Sequence, residues 1–550
     1  MGNSFTISGH IIDVLGKNIY KGRITVENGS ITNIVQTTDA DNQYILPGFI
    51  DSHVHIESSM LVPSEFARLS VVHGTVATVS APHEIGNVMG VEGVRYMIEN
   101  GSQVDFKFFF GAPSCVPATA FETAGATITP DEIDQLLSTS EVKYLAEMMN
   151  WPGVINRDPL VMEKLDIARK HKKVIDGHAP GLKGEMARDY IKAGISTDHE
   201  CFTREEALDK LAYGMKIIIR EGSAAKNFEA LVDLLKDYED RIMFCSDDKH
   251  PDNLVEGHIN ELVIRALAKG IDLFTILKAA CVNPVFHYGL EVGLLRIGDP
   301  ADFIVIDHPE TFRVIQTFID GKMVAENGKT LIKSIENQII NNFSIQPLSP
   351  EIFELSAQGD QIHVIEALDG QLITNKLKLN CTYENGLVTT NIGDDILKLV
   401  VVNRYHAAPP AIAFIKNFGL QSGAIASSVA HDSHNIIAVG TDDESLSSAI
   451  NLIIEQRGGV SAVGLGEEMV VPLPVAGLMS AQDGYQVASA YSAIDRFSKK
   501  LGSQLTSPFM TLSFMALLVI PSCKLSDKGL FDGEKFEFIK LFDVQSSPNI

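Results

Sequence analysis

Between residues 49 and 289 the chain repeats one pattern eight times: a short apolar run, a polar stop, then a stretch with helical periodicity. The apolar runs end in FIDSHVHIE, GTVATVSAPHE, DFKFFFGAP, VKYLAEMMN, KVIDGHAP, GISTDHE, MKIIIREG and RIMFCSDD. Between them lie PSEFARLSVVH, GVEGVRYMIENG, PLVMEKLDIARKH, KGEMARDYIKAG, REEALDKLAYG and FEALVDLLKDYE, whose apolar residues recur at the spacing of one helix face. Eight parallel strands with right-handed helical crossovers close into a (β/α)8 TIM barrel, and the length is near the usual ~250 residues. In that fold reactive groups sit at the C-terminal ends of the strands.

The flanks read differently. Phe5 to Ile45 is a series of short alternating strands in which Glu27-Asn28-Gly29 marks a hairpin, and a matching piece returns in GDPADFIVIDHPETFRVIQTFIDGKMV, residues 298–324. Residues 1–48 plus 290–335 are therefore expected to form a small β-sandwich domain, 49–289 the barrel, and 336–550 an additional C-terminal α+β domain beside the barrel mouth. The run Phe509–Ile520 is shorter than the ~20 residues that a membrane span needs and reads as a buried strand.

Charge and cysteine usage narrow the partners. Lys+Arg of 45 against Asp+Glu of 70 gives a formal charge of -25, which repels a phosphate backbone and excludes nucleic acid. The 6 cysteines show no Cys-x-x-Cys spacing, as expected of free thiols in a reducing cytoplasm, and a zinc ribbon is excluded. No membrane partner is expected.

The polar groups at the strand ends form a set. His53 and His55 lie two apart on an extended strand and so share a face, with Asp51 at the same parity to orient a ligand from behind. Later strand ends offer His83 with Glu84, Glu147, His178, His199 with Glu200, and Asp247 with Asp248. His53, His55, Glu147, His178, His199 and Asp247 converge near the barrel axis, and imidazole with carboxylate suits Mn, Fe or Zn. One ion seldom takes so many protein ligands while keeping an open position, so two ions sharing a hydroxide bridge are expected.

The His-x-His of the first strand, histidines on strands five and six and Asp on strand eight resemble the amidohydrolase superfamily, and GDPADFIV is similar to its companion sandwich. LPGFIDSHVHIESSM, SAPHEIGNVMG, FFFGAPSCVPAT, AEMMNWPGVI, DGHAPGL, STDHECFT, REGSAAKN, FCSDDKHPDNL and AACVNPVFHYGL further resemble the bacterial adenine deaminase family. The likeness continues through RYHAAPPAIAFIKNFGL, SSVAHDSHNIIAVG, PLPVAGLMS and FMTLSFMALLVIPSCKLSDKGL, and so covers nearly the whole chain. It implies hydrolytic deamination of adenine to hypoxanthine and ammonia by a metal-bound hydroxide in purine salvage. It also implies a binuclear divalent centre, Mn first with Fe or Zn as alternatives, in a cytoplasmic homo-oligomer taken to be a dimer. Many superfamily members bridge their ions with a carboxylated lysine on strand four, where this chain offers Glu147; Lys143 shares its face by parity but lies roughly 13 Å back. His55-Ile56-Glu57 fits the His-x-Glu half of the zinc nucleobase deaminases, but the Pro-Cys-x-x-Cys that completes their site is absent.

Roles follow from that resemblance. Asp247 is expected to be the base that takes a proton from the nucleophile and returns it to the leaving ammonia. Glu147 either bridges the ions or relays a proton to N1 of the purine. Asp248 either accepts a hydrogen bond from the imidazole portion of the purine or pairs with Lys249. His83, Glu84 and Glu57 are expected at the substrate or an auxiliary metal, and His431, Asp432 and His434 to close over the mouth, with His431 and His434 touching substrate. Two other readings compete: a hydrolase of the same superfamily opening a cyclic amide such as a dihydropyrimidine, and a non-catalytic scaffold barrel.

Overall fold

All eight apolar runs are strands in a computed structural model that describes residues 4–543, so the outermost residues of the first and last expected domains lie outside the described residues. They are β1 (Phe49–Val54), β2 (Thr75–Ser80), β3 (Lys107–Ala112), β4 (Val142–Met148), β5 (Val174–Gly177), β6 (Thr197–Asp198), β7 (Lys216–Arg220) and β8 (Ile242–Cys245). β1 to β5 pair in parallel in chain order, as do β6 to β8. Backbone bonds close both seams. Ser196 N–H donates to the Ile175 carbonyl at 3.0 Å between β5 and β6, and Asp247 N–H donates to the His53 carbonyl at 3.0 Å between β8 and β1. β1, β2 and β8 are buried along their whole length because side chains fill the barrel on one side and helices cover the other.

Local chemistry sets the crossovers. Pro63 and Pro159 start helices Pro63–Ser70 and Pro159–Lys170, where a missing N–H is harmless, and Asp158 accepts from Leu160 N–H and Val161 N–H at the start of the second. In the flanking sheet Asn28 and Gly29 adopt φ +51° and +85°, the left-handed pair that a two-residue hairpin needs. Strands from residues 4–47 join strands from residues 303–330 in one eight-stranded sheet, where Ile45 pairs with Val305.

A second eight-stranded sheet, built from residues 361–472, carries helices Asp443–Gln456 and Gly484–Lys500. Its apolar residues, Leu397, Leu399 and Val401 among them, share one continuous core with Val54 at the end of β1 and with Ile56 and Met60 just after it. Ser480 N–H donates to the Met60 carbonyl at 2.8 Å, and Arg68 pairs with Asp483 at 2.7 Å. This domain therefore lies on the C-terminal rim of the barrel. The Phe509–Ile520 run is not a strand: Pro508–Phe514 is a helix followed by turns. Every residue of that helix is buried, so no polar face marks its period, and Pro508 opens it. Among the described residues no helix is long and apolar enough to cross a membrane.

Gly177 tests the β5/β6 seam. A Cβ there would lie 2.5 Å from the Thr197 carbonyl oxygen and 2.7 Å from Ile195. Gly177→Ala should lower stability by about 1–3 kcal/mol in urea unfolding.

Candidate active site

The strand ends bring the six expected residues within contact distance. His53 Nε2 and His55 Nε2 are 3.2 Å apart. Two imidazole nitrogens facing each other at that range need a proton or a cation between them. Glu147 Oε1 lies 3.2 Å from His55 Nε2 and 3.8 Å from His53 Nε2, and Asp247 Oδ1 lies 3.3 Å and 3.5 Å from the same two atoms. On the other side Glu147 Oε2 is 2.9 Å from His178 Nδ1 and 3.3 Å from His199 Nε2. Glu147 thus presents one oxygen to each histidine pair.

Two of these residues, His55 and Asp247, are held from behind. His55 Nδ1 bonds the Ala81 carbonyl at 3.0 Å, which leaves Nε2 facing the centre. Asp247 has φ +53°, a left-handed conformation uncommon for aspartate. It is pinned by its backbone bonds to β1 and by Arg220 Nη1, 2.6 Å from Oδ2. Asp51 lies behind the ligands as expected, holding backbone rather than a ring: its carboxylate accepts from His53 N–H at 3.4 Å, from Ser246 N–H at 3.0 Å and from His258 Nε2 at 2.8 Å, and so fixes His53 and the residue that precedes Asp247. The parity expected for Lys143 also fails. The β4/β5 register shifts between Leu145 and Met148, so Tyr144 and Ala146 enter the barrel core along with Glu147. Lys143 lies with Lys107 and Glu291 in a groove at the opposite end of the strands.

Electrostatics mark the centre as a cation site. Burial lowers His53 to about 4. Burial opposes charge on the other rings too, but Glu147 outweighs it at His55 and raises that ring well above the usual range. Against the same burial, Glu147, Asp247 and Glu200 raise His199 to about 9. Despite their own burial, Glu147 is held well below the carboxylate range by His53 and His55, and Asp247 by Arg220. Protons on the imidazoles stand where divalent ions would. The absence of sulfur and the buried, unpartnered Glu147 Oε1 and His178 Nε2 fit divalent cations that seek oxygen and nitrogen donors.

A cavity opens beside this centre, lined by His83, Glu84, Asp248, His431 and Asp432 and roofed by Leu372, Phe514 and Leu517 of the C-terminal domain. Asp248 accepts from Ser58 Oγ at 2.5 Å, while Lys249 turns away to Glu261 at 3.1 Å, so the alternative Asp248–Lys249 pair does not form. Glu84 receives His431 Nδ1 at 2.6 Å and pairs with His434. Glu57 and His434, expected at the substrate, are buried behind Glu84 and do not line the cavity; Glu57 accepts the Ile85 N–H at 3.1 Å. Arg220 is the residue that sequence reasoning missed. It ends β7 and also clamps Glu200, which lies 3.5 Å from His178 and 3.4 Å from His199. Its signal was a cation at a barrel strand's C-terminal end.

A closed β/α barrel with four histidines and two carboxylates at its C-terminal rim is the layout of a metal-dependent hydrolase. The amidohydrolase family model matches residues 44–324, and the adenine deaminase C-terminal domain model matches residues 371–537. A protein named adenine deaminase in Salinibacter ruber is 52% identical over 544 residues, 98% of this chain and 100% of that one. Namesakes in a Sulfurovum species and in Methanosarcina mazei are 54% and 52% identical, each over 97% of this chain and 99% of their own length. The chain belongs to the adenine deaminase family of the amidohydrolases.

In the ion-free protein the His199 proton is retained up to about pH 9, so metal binding must displace it. Apparent affinity for a divalent ion should therefore rise with pH from 6 to about 9, with proton release visible by calorimetry in buffers of different ionisation enthalpy. Arg220→Met leaves two buried carboxylates without their cation and should cost about 3–5 kcal/mol, read by denaturant unfolding.

Proposed function

We propose that the chain hydrolyses adenine to hypoxanthine and ammonia, with His53, His55, Glu147, His178, His199 and Asp247 holding two divalent cations. The observation that carries this reading is the Glu147 carboxylate set between two histidine pairs, in a chain of this family. Bound there, divalent ions make water acidic enough to serve as a nucleophile at neutral pH. Manganese is our first choice, with iron or zinc as alternatives; a donor set of imidazole and carboxylate without thiolate supports it. Six free cysteines support a cytoplasmic setting.

The chain's own groups then handle protons and orientation. Arg220 holds Asp247 Oδ2, so Oδ1 faces the reacting centre, where it accepts a proton from the attacking water and returns it to the departing amine. Glu147 turns Oε2 to His178 and His199 and Oε1 to His55 and His53. Relaying a proton to N1 would require it to abandon one histidine pair, so we assign Glu147 to holding the cations that would bind there rather than to proton relay. Asp248, oriented by Ser58, is placed to accept an N–H from the imidazole portion of the purine, and His83 and Asp432 border the same space. Leu372, Phe514 and Leu517 keep bulk water from the ring.

Manganese-loaded protein should release ammonia and hypoxanthine from adenine and nothing from dihydrouracil. Asp247→Asn should lower kcat by roughly 10²–10⁴-fold with the fold intact by circular dichroism. Full turnover by protein stripped of divalent ions would overturn the assignment.

A further inference from the structure

Lys524 is fully buried at 0% exposure, and among the described residues its Nζ is bonded to backbone carbonyls and pairs with no carboxylate. It sits in strand Cys523–Ser526, and its Nζ donates to the carbonyl of Leu372 at 2.5 Å and to that of Phe514 at 3.0 Å. Both acceptors belong to residues that roof the cavity, and they come from separate parts of the chain. Burial pushes this ammonium down to about 7. A lysine in this setting is a poor choice for stability alone, since an apolar side chain of similar length would avoid desolvating the charge.

We propose that Lys524 is a positioning residue that braces the roof of the substrate cavity by tying Leu372 to Phe514. The roof residues also pack into the core of the C-terminal domain, and Leu525 N–H donates to the Met515 carbonyl at 3.0 Å, so Lys524 adds the side-chain tie that joins Leu372 directly to Phe514. Phe514 stacks on His431, with ring centroids 5.0 Å apart and planes 27° apart, and His431 in turn is bonded to Glu84 on the barrel. A shift of Phe514 therefore reaches the polar wall of the cavity as well as its apolar lid. Ser507, which precedes the helix that carries Phe514, donates through Oγ to the barrel-loop carbonyl of Ser223 at 3.4 Å. Lys524 touches neither the metal ligands nor the reacting atoms, so its influence must pass through the two carbonyls it holds.

This inference rests on adenine being the substrate, and the experiment separates the two. Wild-type and Lys524→Met proteins, both loaded with manganese, are compared for metal content, melting temperature, KM and kcat on adenine. The expected result is a melting temperature equal to or above wild type, unchanged metal content, and a KM raised roughly tenfold with a smaller change in kcat. Phe514→Leu should show the same KM signature, and the double variant should fall short of the product of the two effects. Unchanged KM in Lys524→Met, or activity lost only in proportion to folded protein, would overturn the proposal. Should Lys524→Met not fold, Lys524→Gln carries the test, with a raised KM supporting the brace and an unchanged one refuting it. A wild type that leaves adenine untouched would instead overturn the substrate reading.

Discussion

A single buried carboxylate, Glu147, organises the mouth of this barrel. It lies within 3.8 Å of five imidazole rings, those of His53, His55, His83, His178 and His199, with Asp247 close by. Buried charge on that scale is tolerable only if it is neutralised in place, and the cluster of rings supplies either protons or nitrogen lone pairs for cations. The surrounding scaffold can be read as the means of holding that balance. Arg220 offsets Asp247 and Glu200, and Asp51 fastens the peptide before Asp247 to β1.

Barrel closure turns these groups from a list into a site. The bonds between β8 and β1 pass through Asp247, His53 and His55, so the seam of the barrel and the centre share residues. Damage to closure should therefore appear as damage to chemistry. The left-handed backbone of Asp247 is consistent with this, since an uncommon conformation persists only where its surroundings determine it.

The C-terminal domain completes the cavity. Its sheet shares a core with the segment that follows β1, and its helix Pro508–Phe514 lays Phe514 over the opening. A barrel rim alone would leave a purine open to water on one face. The added domain supplies the apolar lid, and with His431 and Asp432 part of the polar wall. Adenine is a flat, nitrogen-rich ring, and a site with acceptors at its edge and hydrocarbon over its face suits it.

Much of this was legible in the residues. Eight apolar runs with polar stops determine a barrel, because strand length and helix period are local properties, and the ligands at the stops follow from the fold's own geometry. The sequence alone therefore determined the architecture, the six convergent side chains and the family. What only the tertiary structure decided depends on non-local packing or on a local break in periodicity. The shift in β4 turned Lys143 away where simple alternation placed it with Glu147, and complete burial hid the helix at Pro508–Phe514 behind a strand-like run. Arg220 joins strand ends 20 and 27 residues away that meet only when the barrel closes, and the polar wall around Glu84 and the brace at Lys524 join segments 347 and 152 residues apart. Such contacts carry no period along the chain, because the partners meet only when the domains close on one another.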